Sequence, residues 1–218
     1  AVGWTPRVTL TGSMIPTLQL GDYLIVTKYS YGYSKHSIPF SPPLFKGRIF
    51  SRAPHRGDIV VFKDTKDNRT DYIKRLIGLP GDRIEVLDGV VYLNGHVIPQ
   101  KVLPPATLDA FSGVTTIEET LPNGRRYLTQ DINPNSAGDN AGTFVVPPGK
   151  YFFMGDNRDD SADSRFMKEG GEGIGYVPAE NLVGRARVIL FSWDHVTLYN
   201  PITWFTHARP ERFFRVLH

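Results

Sequence analysis

The 218-residue chain contains no cysteine. That excludes a disulfide framework, a thiol nucleophile and cysteine zinc sites, but it leaves the compartment open, because oxidising and reducing spaces both tolerate a cysteine-free protein. No run of about 18 apolar residues occurs, so no segment is expected to cross a bilayer as a helix. An HExxH motif is also missing, and none of the six histidines is spaced as a metal pair, so neither a metal nor a cofactor is expected. The chain lacks a lysine and arginine run, and its formal charge is only +3; nucleic acid is therefore not an expected partner, whereas an anionic membrane surface suits the mild basicity. A secretory signal peptide is not expected either. Ala1 leads almost directly into a reactive-looking motif, so the chain reads as the soluble part of an anchored protein.

What is present is ordinary globular composition, 40% hydrophobic and 22% charged, with 21 glycines and 17 prolines. Long helical periodicity is hard to find, and turn residues are frequent, which predicts an all-β, antiparallel, hairpin-rich fold. Residues 7–11 alternate as a strand, and residues 22–29, 59–62, 71–78, 83–87, 90–93, 151–154 and 183–191 read as further strands. Asp88-Gly89 and Asn94-Gly95 are signals for type I′ hairpin turns. Residues 30–56 read as a long irregular loop. From about 98 to 148 the texture becomes polar and turn-rich, and this stretch is expected to be an inserted β-subdomain in a core formed by 1–97 and 149–218. Only 210–217 looks helical, with Pro210 at its first position.

Two segments carry chemistry. Ser13 lies in Thr11-Gly12-Ser13-Met14-Ile15-Pro16-Thr17-Leu18, and Lys74 in Tyr72-Ile73-Lys74-Arg75-Leu76-Ile77. Together they read as a nucleophile and its base, working without histidine. A serine hydroxyl needs a neighbouring base to become a useful nucleophile. Lysine serves only when neutral, and at its ordinary pKa only ~1 in 2,500 lysines is neutral at pH 7. Burial among apolar neighbours such as Ile73, Leu76 and Ile77 can lower that pKa. Arg75, next in the strand, is expected on the opposite face. Taken singly, a serine after glycine is usually a turn residue and a strand lysine usually snorkels to the surface.

A third segment, Gly155-Asp156-Asn157-Arg158-Asp159-Asp160-Ser161-Ala162-Asp163-Ser164-Arg165, predicts a tight loop cross-linked by carboxylates and guanidinium groups. It misses the spacing of a calcium loop, and the glycines of 170–175 do not follow a strand as a dinucleotide motif would. In this order the segments, with Arg56-Gly57-Asp58-Ile59-Val60-Val61-Phe62 between the first two, make the chain resemble the bacterial type I signal peptidases. These are membrane-bound serine endopeptidases that remove signal peptides from exported preproteins.

The resemblance implies roles residue by residue. Ser13 would attack the scissile carbonyl, Lys74 would be general base and then acid, and the Ser13 N–H with the Thr11 hydroxyl would form the oxyanion hole. Thr11 stands where the family most often has serine. Ser161 would orient the lysine amine, and Asp156, Arg158, Asp163 and Arg165 would hold the loop in shape. Small residues at −1 and −3 of the substrate would enter a pocket for which Thr9, Met14 and Ile73 are candidates, the peptide pairing with strands 7–11 and 71–74. The expected partners are preprotein signal peptides and the lipid surface. The expected place is the outer face of the bacterial cytoplasmic membrane, and the expected state is a monomer. The loop 30–56 and the tail, where Trp204, Phe205, Phe213 and Phe214 alternate with Arg209, Arg212 and Arg215, are candidate membrane contacts.

Two rivals are weaker. A self-cleaving repressor with Ser–Lys chemistry would need a DNA-binding helical module, which is not visible. A catalytically silent domain that only binds signal peptides would not need Ser13 and Lys74 together.

Overall fold

Turn chemistry lays out the strands. In the computed structural model, which describes residues 4–9, 11–34, 47–50, 52–105, 113–133, 135–166, 173–194 and 206–217, Asp88 and Gly89 both have positive φ (49° and 73°), as do Asn94 and Gly95 (53° and 81°). These are the I′ turns expected from sequence. They join β7 (Arg83–Leu87), β8 (Val90–Leu93) and β9 (His96–Val97) into a meander closed at Leu87↔Val90 and Leu93↔His96. With β13 (Gly142–Val145) against β7, the meander forms a four-stranded antiparallel sheet. The protein is all-β, as its composition predicts.

The main sheet has eight strands. Its order is β1 (Trp4–Val8), β2 (Asp22–Thr27), β16 (Leu182–Ser192), β5 (Ile59–Lys63), β6 (Asp71–Gly78), β14 (Lys150–Met154) and β15 (Val177–Pro178), with β17 (Arg215–Val216) also on β16. A separate three-stranded sheet is made of β10 (Gln100–Val102), β11 (Thr115–Thr120) and β12 (Arg126–Asp131), and β3 (Tyr33–Ser34) pairs with β4 (Arg48–Ile49). Apolar strands are buried on both faces where sheets stack. Phe152 and Phe153, neighbours pointing to opposite faces of β14, are both fully buried and belong to two different core clusters. Each such side chain contributes roughly 1.5–3 kcal/mol of apolar burial.

Two strand ends differ from expectation. The first strand covers 4–8 rather than 7–11, because Pro6, which looks like a breaker, sits on an edge strand where a missing donor is tolerated. The tail is not a helix: Pro210–Arg212 is a single 3-10 turn, Phe214 has φ +58°, and β17 then pairs with β16. Arg212 holds this end down by an ion pair to buried Asp22 (2.5 Å), and Leu217 is buried in the core while Phe214 and Val216 are exposed. Trp204 and Phe205 lie outside the described residues, as do residues 35–46 and 51 of the 30–56 loop.

What matters for the site is the flank of β6. β5 pairs along Asp71–Arg75, but β14 pairs on the other side only at Arg75, Leu76 and Gly78. The flank at 71–74 is therefore not covered by β14, and it faces the edge strand β1 across a cleft.

Candidate functional site

Ser13 sits in a tight turn. Past β1 the chain runs as successive turns over 12–18, in which Ile15 N–H donates to the Gly12 carbonyl (3.0 Å) and Leu18 N–H to the Met14 carbonyl (2.8 Å). From behind, Asn157 N–H donates to the Ser13 carbonyl at 3.1 Å. Gly155 makes this approach possible. A Cβ there would lie 2.2 Å from Ser161 Oγ and 2.5 Å from the Ser13 carbonyl oxygen, so only glycine lets loop and turn meet.

Lys74 is 3% exposed, opposite Val60 in the ladder, and lines one cleft of about 210 Å³ with Thr11, Ser13, Tyr72, Ile73 and Asp160. Burial lowers its pKa to about 8; the carboxylates of Asp163, Asp160 and Asp156 oppose that, and the Arg165 guanidinium reinforces it. At pH 7 roughly one Lys74 in ten is then neutral, against ~1 in 2,500 for a free lysine. Thr11 Oγ1 is 2.8 Å from Ser13 Oγ and accepts the Ser13 N–H at 3.1 Å. Its hydroxyl thus occupies the Ser13 N–H.

Ser161 is buried beside Gly155, and its hydroxyl has no hydrogen-bond partner among the described residues, so a bond from it to the Lys74 amine is not formed here. Thr9 and Ile73 line a second, adjoining cleft of about 440 Å³ between β1 and β6. The Thr9 backbone is already bonded to β2, through its N–H to the Asp22 carbonyl (2.9 Å) and its carbonyl to Gly21 N–H (3.1 Å). Met14 is not brought to either cleft; it is fully buried in the core with Leu18, Leu24 and Val26.

The loop residues form two buried locks. Asp163 accepts Gly155 N–H (3.0 Å), Arg165 N–H (3.1 Å) and Arg165 Nη2 (2.9 Å). Burial alone would push its carboxyl up, but Arg165 and these donors bring it below its ordinary value. Arg165 Nη2 also donates to the Arg158 carbonyl (2.5 Å), and Arg158 pairs with fully buried Glu119 (2.5 Å) on β11, which accepts from Tyr127 as well (2.5 Å). Asp156 takes Arg75 in a bidentate pair (2.8 and 2.7 Å) while Arg75 Nη1 donates to the Gly57 carbonyl (2.9 Å) and its guanidinium lies 4.3 Å from the Tyr127 ring centroid. Arg75 does point away from Lys74, but sequence reading did not find its partner. Glu119, Tyr127 and Asp160 were missed too. The pairs Arg158–Glu119 and Arg75–Asp156 join residues 39 and 81 positions apart, and no local pattern announces them.

Known proteins share this chain's sequence pattern. A family model described as signal peptidase, peptidase S26, matches residues 1–193. The signal peptidase I of Rickettsia akari (strain Hartford) is 43% identical over 231 residues, covering 98% of this chain and 85% of that protein. The signal peptidase I of Rickettsia typhi (strain ATCC VR-144 / Wilmington) is 43% identical over 233 residues with the same coverage. Among solved structures, a signal peptidase I from Enterococcus faecalis V583 is 27% identical, covers 62% of this chain and 97% of its own, and superposes with a TM-score of 0.35.

Proposed function

The chain belongs to the signal peptidase family, peptidase S26, and we propose that it is a serine endopeptidase whose Ser13–Lys74 dyad removes signal peptides from exported preproteins. The observation that carries the dyad is a buried lysine, its pKa down at about 8, lining one cleft with a serine held by Asn157 N–H at its carbonyl and by the Thr11 hydroxyl at its N–H. Neutral Lys74 takes the Ser13 proton as Oγ attacks the scissile carbonyl. The oxyanion that forms accepts from the Ser13 N–H and from the Thr11 hydroxyl, which turns from its bond to Ser13. Protonated Lys74 then gives its proton to the leaving amine, and the acyl-enzyme is hydrolysed by water that Lys74 deprotonates in turn. Ser161 orients the amine when substrate closes the cleft; catalytic hydrogen bonds often form only in the loaded enzyme.

The peptide extends between β1 and β6, with small residues at −1 and −3 facing Thr9 and Ile73. No helix among the described residues is long and apolar enough to cross a membrane. The enzyme works at the lipid surface on the outer face of the cytoplasmic membrane. The clustered rings of Tyr23, Phe191, Trp193, Phe213 and Phe214, with Phe214 63% exposed, are the candidate contact. The test is cleavage of a preprotein bearing an Ala-x-Ala site, in detergent, by the chain and by Ser13→Ala. Cutting at that site that the substitution abolishes is the expected result. Cutting that survives it would mean the nucleophile is another residue, and no cutting by the unaltered chain would favour a silent binding domain.

A further inference from the structure

The larger cleft has two walls, the uncovered flank of β6 at Asp71–Ile73 and the edge strand β1. At the end remote from Ser13 a charged pair joins them: Arg7 Nη2 lies 3.0 Å from Asp71 Oδ2. Asp71 is braced from behind by Lys63, its ladder partner in β5, with Nζ 2.8 Å from Oδ1. Lys28 is close enough for all three to act on its ammonium, whose pKa is lowered first by burial and next by Arg7. Two basic side chains thus hold one carboxylate, and a third, Lys28, feels the same charges. The Arg7 side chain stays 41% exposed, so its guanidinium remains open to the cleft beside Asp71.

We propose that the Arg7–Asp71 pair is a charge clasp that sets specificity upstream of the cut, favouring a substrate residue with an acidic side chain and disfavouring a basic one. Strand geometry places its reach. Asp71 precedes Lys74 by three residues, about 10 Å at roughly 3.3 Å per residue. An extended peptide with its scissile bond at Ser13 and Lys74 brings the residue four or five places before the cut to the clasp. A carboxylate there is drawn to the partly exposed Arg7 guanidinium without displacing Asp71. An ammonium meets Arg7, Lys28 and Lys63 with one carboxylate already engaged. Arg7 and Asp71 are 41% and 23% exposed in their side chains, so the preference is modest and salt-sensitive.

This inference rests on the proposed peptidase activity, and the test separates the two. Peptides with an Ala-x-Ala site carry a single Glu, Ala or Lys at −4, −5, −6 or −7, and kcat/KM is measured in detergent at low salt. Glu is expected to exceed Lys by about 3- to 10-fold at −4 or −5, with little difference further out, and the ratio is expected to fade in about 1 M salt. Arg7→Lys keeps the sign, Arg7→Glu reverses it, and Asp71→Asn enlarges it. A merely structural role would move Arg7→Glu and Asp71→Asn in the same direction. Equal rates for Glu and Lys in a chain that cuts the Ala peptides would overturn the clasp alone. Failure to cut any peptide would overturn the peptidase activity and the clasp with it.

Discussion

Replacing Lys74 with methionine should make the protein more stable while abolishing its activity. The buried amine has a pKa of about 8 against its ordinary 10.5, a difference that corresponds to about 3 kcal/mol. The sign follows from proton counts. Between pH 8 and 10.5 the unfolded chain holds more protons than the folded one, so stability rises with pH across that window. Below pH 8 both states are protonated and the cost of burying the ammonium is present in full. Methionine has similar length and no charge, and it removes that cost. At pH 7 Lys74→Met is expected to exceed the unaltered chain by up to about 3 kcal/mol, and the advantage should shrink by roughly 2–3 kcal/mol by pH 10. Urea unfolding of both proteins at the two pH values, followed by circular dichroism, gives the difference directly, and other titrating groups cancel in it. A difference that does not change with pH would refute the reasoning, because Lys74 would then carry an ordinary pKa.

Other substitutions probe the frame. Gly155→Ala forces a Cβ to within 2.2 Å of Ser161 Oγ and 2.5 Å of the Ser13 carbonyl, so kcat should fall at least about 100-fold and thermal unfolding should come several degrees earlier. Thr11→Val keeps the shape and removes the hydroxyl; kcat should drop by about 10²–10³, while Thr11→Ser should retain activity within a few-fold in the same assay. Arg75→Met leaves Asp156 as a buried unpaired carboxylate and should cost about 3–5 kcal/mol in urea unfolding, although Arg75 touches neither cleft residue Ser13 nor Lys74 by hydrogen bonding.

Much of the strand layout was legible because hairpins are local. Asp88-Gly89 and Asn94-Gly95 demand positive φ, and that demand can be read from two letters. The tail was misread for the opposite reason: the pattern of 210–217 suits a helix, but an open flank on β16 captures residues 215–216 as a strand. Ser13 and Lys74 stood out through their sequence neighbourhoods. What surrounds them did not, since the pairing of Arg75 with Asp156, or of Arg158 with Glu119, depends on how distant strands stack. Met14 illustrates the limit on the apolar side. Adjacency to Ser13 makes it a pocket candidate, yet in a tight turn the next side chain swings away, and it is buried in the core with Leu18 and Val26.

The most direct test of the Ser13–Lys74 dyad is the pH dependence of kcat/KM on an Ala-x-Ala preprotein in detergent. Because only the neutral amine can take the Ser13 proton, the rate should climb tenfold per pH unit at low pH and reach half its plateau near pH 8, where the Lys74 pKa lies. A profile that is flat from pH 6 to 10, or one half-maximal near 6.5 as histidine would give, would contradict lysine as the base.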